Sequence, residues 1–393
     1  MRKALLFLIA VGHFCVDSYA QMLAPVLPLV ISRLGLSLTS AGFLGTITSL
    51  CSLSQPLLGV WADGMRRRYL VLAGLLMAGL FTPMLGIVPN YPALLVVLCL
   101  GGLGVAAFHP QVFSLAGELS GHRRSFGIAL FVFGGTLGLG CSPLWVPWFA
   151  TEVGLEWLPA AGLPALLFAL LIWRFVPLDN PHVIHGQRGS LRDSLEGRKR
   201  ILLLMTVVVI LRSVTGLGFG FFIPVLSEAR GLDLVQGGVP LSIYNLAGVA
   251  GALLFGYLGD RLNTKPLVWG SILAAAPSLY GYLHSDGLVA YVFLAIGGAM
   301  VMASNSLLVA MAQELVPKSS GLASSLPLGF SWGVAGLTLT PIGYLAERAG
   351  VESALTLLAV LPVATAFLAL FLPSGRSLQA GGEGDSSGEA ARA

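Results

Sequence analysis

Long apolar stretches separated by short polar breaks dominate the chain. An α-helix of about 20 apolar residues spans the hydrocarbon core of a bilayer, and stretches suited to such helices recur along nearly the whole sequence. They are residues 4–31, 38–62, 69–88, 92–117, 124–147, 157–177, 200–226, 236–259, 266–283, 287–313, 320–345 and 351–373. The pattern therefore predicts an all-α integral membrane protein with twelve transmembrane helices.

One long polar segment, residues 178–199, separates the first six stretches from the last six. This arrangement predicts an N-terminal six-helix bundle over residues 1–177, a cytoplasmic linker loop over 178–199 and a C-terminal six-helix bundle over 200–373. The tail over residues 374–393 is rich in Gly, Ser, Ala and Glu. Because such a composition is typical of disordered segments, we expect a disordered cytoplasmic tail.

A glycine and an aspartate four positions apart, followed by basic residues, occur once in each half. The residues are Gly59, Asp63, Arg66 and Arg67 in the first half, and Gly256, Asp260, Arg261 and Lys265 in the second. Internal repeats in a membrane protein are typical of transporters whose halves move about a central site. We therefore predict two pseudo-symmetric halves, and we expect the repeated carboxylates and cations to form a cytoplasmic gate.

Composition and charge agree with a membrane location. Hydrophobic residues make up 56% of the chain and charged residues 10%, whereas an average soluble domain is roughly 25% charged. If both termini are cytoplasmic, only Arg33, Arg230 and Arg348 among the 22 Lys and Arg residues lie outside, and Arg212 lies within a span. This asymmetry follows the positive-inside rule. It explains the net charge of +4 without a nucleic-acid partner.

Asp17 is the acidic residue that the pattern places deep within a span. A charge at the bilayer centre costs about 2.5–3.5 kcal/mol, so such residues usually face a cavity or a partner. His13 lies one helical turn before Asp17 and shares its face, and Arg212 lies mid-span in the seventh helix. We expect these three residues to meet across a central cavity, with Asp17 binding a proton. The alternatives are a buried hydrogen-bonding carboxyl group and a static salt bridge between the halves.

His109 lies deep in the fourth span, directly before Pro110, which removes a helical hydrogen bond. We expect His109 to relay protons and Gln111 to bind substrate; the alternative is that each satisfies a neighbouring polar group. Further candidates for the substrate cavity are polar or aromatic residues within spans, for which ordinary interhelical hydrogen bonding is the alternative. They are Gln21, Gln55, Tyr244, Asn245, Asn305 and Trp332.

Several of these segments resemble those of a known family. The repeated Gly-x-x-x-Asp motif with its basic residues resembles the loop signature of the major facilitator superfamily, and the layout of the spans matches along nearly the whole chain. Three segments resemble the fosmidomycin resistance protein family within it. They are His13-x-x-x-Asp17, Phe108-His109-Pro110, and the stretch from Phe133-Gly134-Gly135 through Gly138 to Ser142-Pro143. The resemblance implies efflux by proton exchange, with Asp17 and His109 in the cavity.

These observations favour a secondary active transporter that exports small anionic or amphiphilic organic compounds by alternating access, with Arg212 attracting the anion. Its partners would be the substrate, protons and the lipid bilayer, and we expect a monomer in a bacterial inner membrane. No cofactor or resident metal is expected. The sequence lacks the HExxH and Walker A motifs, so we do not expect an enzyme.

Three other kinds of transporter remain as alternatives. The first is a divalent metal exporter, because His13, Asp17 and His109 offer nitrogen and oxygen ligands. The others are a nutrient uptake carrier and a lipid translocator of the same fold, because the sequence does not state the direction of transport or the substrate.

Overall fold

The computed structural model describes residues 1–63, 68–179, 199–315 and 330–373. Their regular elements are helices, numbered here in chain order. The α-helices are α1 (Lys3–Ala20), α2 (Leu23–Leu34), α3 (Leu38–Ser52), α4 (Gln55–Asp63), α5 (Tyr69–Phe81), α6 (Tyr91–Ser120), α7 (Arg124–Phe149), α8 (Leu163–Phe175), α9 (Lys199–Ala229), α10 (Leu234–Gly259), α11 (Thr264–Leu283), α12 (Gly287–Leu315), α13 (Ser331–Gly336), α14 (Leu339–Ala349) and α15 (Val351–Ala369). Short 3₁₀ segments at Thr82–Gly86, Gly121–Arg123 and Leu155–Gly162 and a π-helical turn at Ala150–Gly154 join some of them.

Each of the twelve predicted spans contains a helix or part of one in the portion of the chain that the structure describes, which confirms the all-α prediction. Eight stretches of the described residues are long and apolar enough to cross a membrane, and one of these, Gly127–Phe175, covers the fifth and sixth predicted spans together. The predicted tail and most of the predicted linker, from residue 180 to 198, lie outside the described residues.

The first and second predicted spans are each divided into two helices. The first is interrupted at Gln21–Met22, just before Pro25, and the second at Leu53–Ser54, just before Pro56. Each proline lacks the N–H that would bond to the carbonyl four residues earlier, and its ring crowds that carbonyl. The apolar pattern is continuous across both breaks, so a prediction from hydrophobicity alone joined each pair of helices.

Glycines on α7 allow the backbones of α1 and α7 to approach closely. A Cβ atom at Gly134 would lie 2.5 Å from the carbonyl oxygen of Ala10, and one at Gly138 would overlap the carbonyl oxygen of Phe14. Small residues at such a crossing allow the two helix backbones to touch directly, because no side chain keeps them apart. This crossing fixes the position of α1, which carries His13 and Asp17.

The described residues form two compact units. The first unit contains those within 1–187, 217–246 and 336–355, and the second contains those within 188–216, 247–335 and 356–393. The first unit thus includes α1 to α8, all of α14 and parts of α9, α10 and α15. The predicted bundle boundaries at 177 and 200 stay a prediction.

Candidate functional site

Three polar side chains from two helices meet inside the first unit. Nε2 of His13 is 3.2 Å from Oδ2 of Asp17, and Nε2 of His109, on α6, is 3.2 Å from Oδ1 of the same carboxylate. The two Nε2 atoms are 3.3 Å apart. We call His13, Asp17 and His109 the His–Asp–His triad. The spacing of one helical turn predicted that His13 and Asp17 lie side by side, and the fold places His109 next to them.

Both histidines of the triad are oriented by backbone carbonyl groups. Nδ1 of His13 is 3.0 Å from the carbonyl oxygen of Phe131, and Nδ1 of His109 is 2.7 Å from that of Val105. A carbonyl oxygen only accepts hydrogen bonds, so both Nδ1 atoms carry their protons and donate them. Each ring therefore presents its other nitrogen, Nε2, to Asp17.

The groups of the triad can together accept positive charge. If both imidazoles are neutral, two Nε2 lone pairs and the carboxylate oxygens face one another at 3.2–3.3 Å. Their mutual repulsion is relieved when a cation lies among them. Protons on Nε2 would donate hydrogen bonds to Asp17, and a metal ion would accept the lone pairs. Among the described residues, the triad is the group of His, Cys, Asp and Glu side chains whose ligand atoms converge, within 4.8 Å of one another.

The triad is largely shielded by aromatic rings. The side chains of His13 and Asp17 are 4% and 11% exposed, whereas that of His109 is 20% exposed. The ring of Phe131 stacks on His13 at 4.2 Å with an interplanar angle of 14°, and Phe113 lies beside His109 with ring centroids 6.3 Å apart. The triad is therefore most accessible at His109.

Sequence reasoning did not find two residues that shape this site. Gly135 leaves no room for a side chain, because its Cβ atom would lie 2.5 Å from Oδ2 of Asp17 and would overlap the His13 ring. Phe131, one turn earlier on α7, supplies both a stacked ring and a carbonyl acceptor to His13. The family-like glycines around Gly135 were the available signal, whereas nothing in the pattern singled out Phe131.

Arg212 lies in the second unit, where it is 2% exposed. Its guanidinium donates to the carbonyl oxygen of Val301 at 3.1 Å and to Oδ1 of Asn305 at 3.1 Å. Asn305 was also predicted to bind substrate, so the fold brings two of the predicted residues together. The predicted meeting of Arg212 with His13 and Asp17 stays a prediction, because these residues belong to different units.

The remaining substrate candidates have varied surroundings. Oε1 of Gln111 accepts a hydrogen bond from the backbone N–H of Leu70 at 2.9 Å and so satisfies the start of α5. Nδ2 of Asn245 donates to the carbonyl oxygen of Leu139 at 3.3 Å. Gln21 lies in the α1–α2 break, Gln55 begins α4, Tyr244 is buried on α10 and Trp332 lies on α13. Their roles in binding substrate stay predictions.

The predicted cytoplasmic gate is only partly described. Arg66 and Arg67 lie outside the described residues, as does the side chain of Asp63, the last residue of α4. A Cβ atom at Gly59 would lie 3.6 Å from Cβ of Pro110 on α6. In the second copy, Gly256 lies on α10 and Asp260 is exposed just after it. Arg261 lies over the Tyr257 ring at 4.3 Å, and the backbone N–H of Lys265 donates to Asn263. The gating role stays a prediction.

Arg68, which directly follows Arg66 and Arg67 of the predicted gate, is an anchor beside that segment. It is 1% exposed, forms an ion pair with Glu118 at the end of α6 and donates to the carbonyl oxygen of Asp179 at 3.0 Å. Its backbone N–H donates to the carbonyl oxygen of Leu178. Arg68 therefore fastens the start of the linker to α5 and α6. Its place in a run of three arginines hid this role.

Residues far apart in the chain also meet within the first unit. They do so at the end predicted to lie outside, where Arg33, Arg230 and Arg348 are expected. Oε2 of Glu347, after the eleventh predicted span, accepts hydrogen bonds from the backbone N–H and Oγ1 of Thr39 on α3. On the same two helices, Oγ1 of Thr46 lies 2.9 Å from Oγ1 of Thr340. The N-terminal and C-terminal halves of the chain are therefore in contact at the end predicted to lie outside.

The family follows from comparison of the whole chain with known proteins. The model of the Major Facilitator Superfamily matches residues 9–337. The chain belongs to the major facilitator superfamily. The predicted fold class, two pseudo-symmetric bundles of six transmembrane helices, is confirmed, and the protein is a multi-pass membrane transporter.

Individual members of the superfamily show the extent of the similarity. The chain is 26% identical over 384 residues to the fosmidomycin resistance protein of Escherichia coli (strain K12), covering 94% of this chain and 92% of that protein. It is also 26% identical over 385 residues to an uncharacterised transporter of the superfamily, YfnC, from Bacillus subtilis (strain 168), covering 95% and 94%. These matches confirm the resemblance found in the sequence.

A solved structure shares the fold. It is that of a bacterial homologue of the human lysosomal transporter Spinster in an inward-facing, unoccupied conformation. The TM-score is 0.80 at 16% sequence identity, over 94% of this chain and 96% of that one. At this identity the likeness concerns the fold.

Proposed function

We propose that this superfamily member is a secondary active transporter that exports small anionic or amphiphilic organic compounds in exchange for protons. The observation that carries the proposal is the position of Asp17, a buried carboxylate 3.2 Å from the Nε2 atom of each of two histidines. Such a charge within a transmembrane helix is costly unless it serves a pathway or a partner. Here its partners are imidazole rings, a side chain that can both accept and release a proton.

Proton binding at the triad would change its charge without moving its backbone. Both Nδ1 atoms are already committed to carbonyl oxygens, so protons enter and leave at Nε2 or at Asp17. Because His109 is the most exposed member of the triad, protons would arrive there and pass to His13 or Asp17 over distances of 3.2–3.3 Å. The site can thus change its charge in steps while the imidazole rings stay in place.

Alternating access would couple this change to transport. The contacts between Thr39 and Glu347 and between Thr46 and Thr340 hold the two halves of the chain together at the predicted outer end. Export requires these contacts to open, after which protons from outside would reach the triad. Protons that bind more tightly to one conformation than to the other shift the equilibrium towards that conformation.

The direction and the substrate class rest on two further observations. The curated relative from Escherichia coli is named for resistance to fosmidomycin, which favours export. Arg212 is a buried guanidinium among Val301, Asn305 and Ser213, and a buried cation suits an anionic group of the substrate. The positive-inside asymmetry supports an inner membrane location with both termini cytoplasmic. We further propose that the protein acts as a monomer, without a cofactor and without catalysing a chemical reaction.

The test uses purified protein in proteoliposomes with a pH-sensitive dye inside. Adding anionic or amphiphilic compounds should evoke proton flux with the unmodified protein and none with Asp17→Asn. The matched control is Asp286→Asn, at an exposed loop residue, which should behave as the unmodified protein does. Retained gradient-driven flux in Asp17→Asn would contradict the proton-coupling role of Asp17. Substrate moving in the same direction as protons would instead indicate an uptake carrier, and labelled lipid crossing the bilayer would indicate a lipid translocator.

A further inference from the structure

We propose that the His–Asp–His triad also binds a divalent transition-metal ion, best matched by Zn²⁺, and that the bound ion inhibits export. The binding stands on the geometry of the three side chains alone. Only the inhibition rests on the proposed function, because it assumes that the same side chains carry the protons.

The spacing of the ligand atoms fits a tetrahedral ion. Nitrogen and oxygen ligands lie about 2.0–2.2 Å from Zn²⁺, so two ligands of a tetrahedral site are about 3.3–3.5 Å apart. The two Nε2 atoms are 3.3 Å apart, and each lies 3.2 Å from an oxygen of Asp17. An ion would therefore need only small side-chain movements to bind both imidazoles and the carboxylate.

The surroundings of the two imidazoles are those of metal ligands. A histidine that binds a metal almost always donates its other ring N–H to a carbonyl or carboxylate, which fixes the tautomer and the ring orientation. Here His13 donates to the carbonyl of Phe131 and His109 to that of Val105. The ring of Phe131 further holds His13 by stacking. Both Nε2 atoms therefore lie next to the same carboxylate, and next to each other, before any ion arrives.

The donor set indicates which ions are suited. Imidazole nitrogens favour Zn²⁺, Cu²⁺ and Ni²⁺, whereas Mg²⁺ and Ca²⁺ prefer sites made of oxygen. A tetrahedral ion with three protein ligands has a fourth position, which water can fill. Water can reach the triad at the side chain of His109, which is 20% exposed. An ion held by both Nε2 atoms occupies the lone pairs that would otherwise take protons, so metal and proton occupancy exclude each other.

The first experiment measures binding directly, without transport. Full-length protein in detergent is titrated with ZnCl₂ by calorimetry and with Co²⁺ by visible absorption, which reports the coordination geometry. His182 and His185 of the linker, which lie outside the described residues, are replaced by alanine throughout to remove their own affinity for metal. This background protein should bind one Zn²⁺, and Co²⁺ should give a tetrahedral spectrum.

Variants of the triad decide the site. His109→Ala and His13→Gln should each weaken Zn²⁺ binding at least about 10-fold, whereas the control His284→Ala, at the end of α11 in the second unit, should not. Circular dichroism identifies any variant that fails to fold. If one of the two triad variants fails, the other is used to test the site. Unchanged affinity in a folded triad variant, or no binding by the background protein, would overturn the metal site.

Inhibition is then measured as substrate-evoked proton flux with and without saturating Zn²⁺. Loss of flux in the background protein, reversed by a chelator, is the expected result. Full flux with Zn²⁺ bound would overturn the inhibition but leave the metal site standing, and Zn²⁺ accumulating across the bilayer would replace inhibition with metal transport. If Zn²⁺ binds and no compound evokes proton flux, the proposed function fails while the site remains.

Discussion

Asp17 on α1 and His109 on α6 are joined by a contact of 3.2 Å between Oδ1 and Nε2. His109 lies directly before Pro110 in a helix that nevertheless continues to Ser120. Its Nδ1 donates to the carbonyl of Val105, four residues earlier. The ring is thus fixed at one nitrogen by its own helix and is left with the other for Asp17.

Under the proposed function, His109 is the first member of the triad to exchange protons. We expect His109→Ala to lower substrate-evoked proton flux roughly 10- to 100-fold, in line with the loss of a positioned proton-transfer group. Stopped-flow recording of a dye trapped in proteoliposomes measures the rate. His284→Ala provides the control, and a rate for His109→Ala equal to that of the unmodified protein would show that protons reach Asp17 by another route.

Gly135 should tolerate no larger residue. In Gly135→Ala the new methyl group would overlap the ring of His13 and press on Asp17, and such overpacking typically costs about 1–3 kcal/mol. We expect a lower melting temperature and loss of proton flux. Gly220→Ala is a matched control on α9, because a Cβ atom there meets nothing within 4 Å. Equal behaviour of the two variants would contradict the packing argument.

Arg212 should distinguish substrates by charge. Charge-assisted hydrogen bonds are worth about 1.5–3 kcal/mol, so Arg212→Ala should weaken an anionic substrate about 10-fold or more and a neutral analogue much less. Asn305→Ala tests the partner of the guanidinium and should have a smaller effect. Binding is measured by radioligand competition with the purified protein. Equal loss of both substrates would favour a purely structural role for Arg212.

The contact at the predicted outer end should depend on pH through Glu347. Hydrogen bonds from the side chain and backbone of Thr39 lower the pKa of the Glu347 carboxyl below its ordinary value. A lowered pKa means that the contact contributes fully above the ordinary glutamate value of about 4.3 and is lost as the pH falls through the lowered pKa. Acid should therefore release this contact.

Distance measurements between nitroxide labels at the exposed residues Ser32 and Ala349 test this release. The distance distribution should broaden to longer values only below about pH 4.3 in the otherwise unmodified protein, whereas Glu347→Gln should shift the broad distribution to neutral pH. Glu352→Gln, which removes the partner of Arg230 instead, serves as the control. A distribution that does not change between neutral and acid pH would show that Glu347 does not hold this end closed.

Much of the fold was predictable because the bilayer imposes a length and a polarity on every span. Each of the twelve apolar stretches contains a helix or part of one among its described residues, and the repeated Gly-x-x-x-Asp motif pointed to the superfamily whose model the chain matches. Pro25 was expected to be a bend point of the first span, but the break before Pro56 was not predicted, because hydrophobicity does not register the loss of a backbone N–H donor. The anchoring role of Arg68 was not predicted, since it depends on contacts with Glu118 and with the carbonyl groups of Leu178 and Asp179, which are distant in the sequence.

The sequence by itself determined that a carboxylate and an imidazole, Asp17 and His13, share one face of a membrane helix, since residues four apart lie one turn apart in any α-helix. Only the tertiary structure decided that His109 completes the group, that Phe131 and Val105 orient its rings and that Gly135 makes room for them. These contacts join positions on three helices, and the crossing of helices depends on how whole surfaces pack, which no local spacing records.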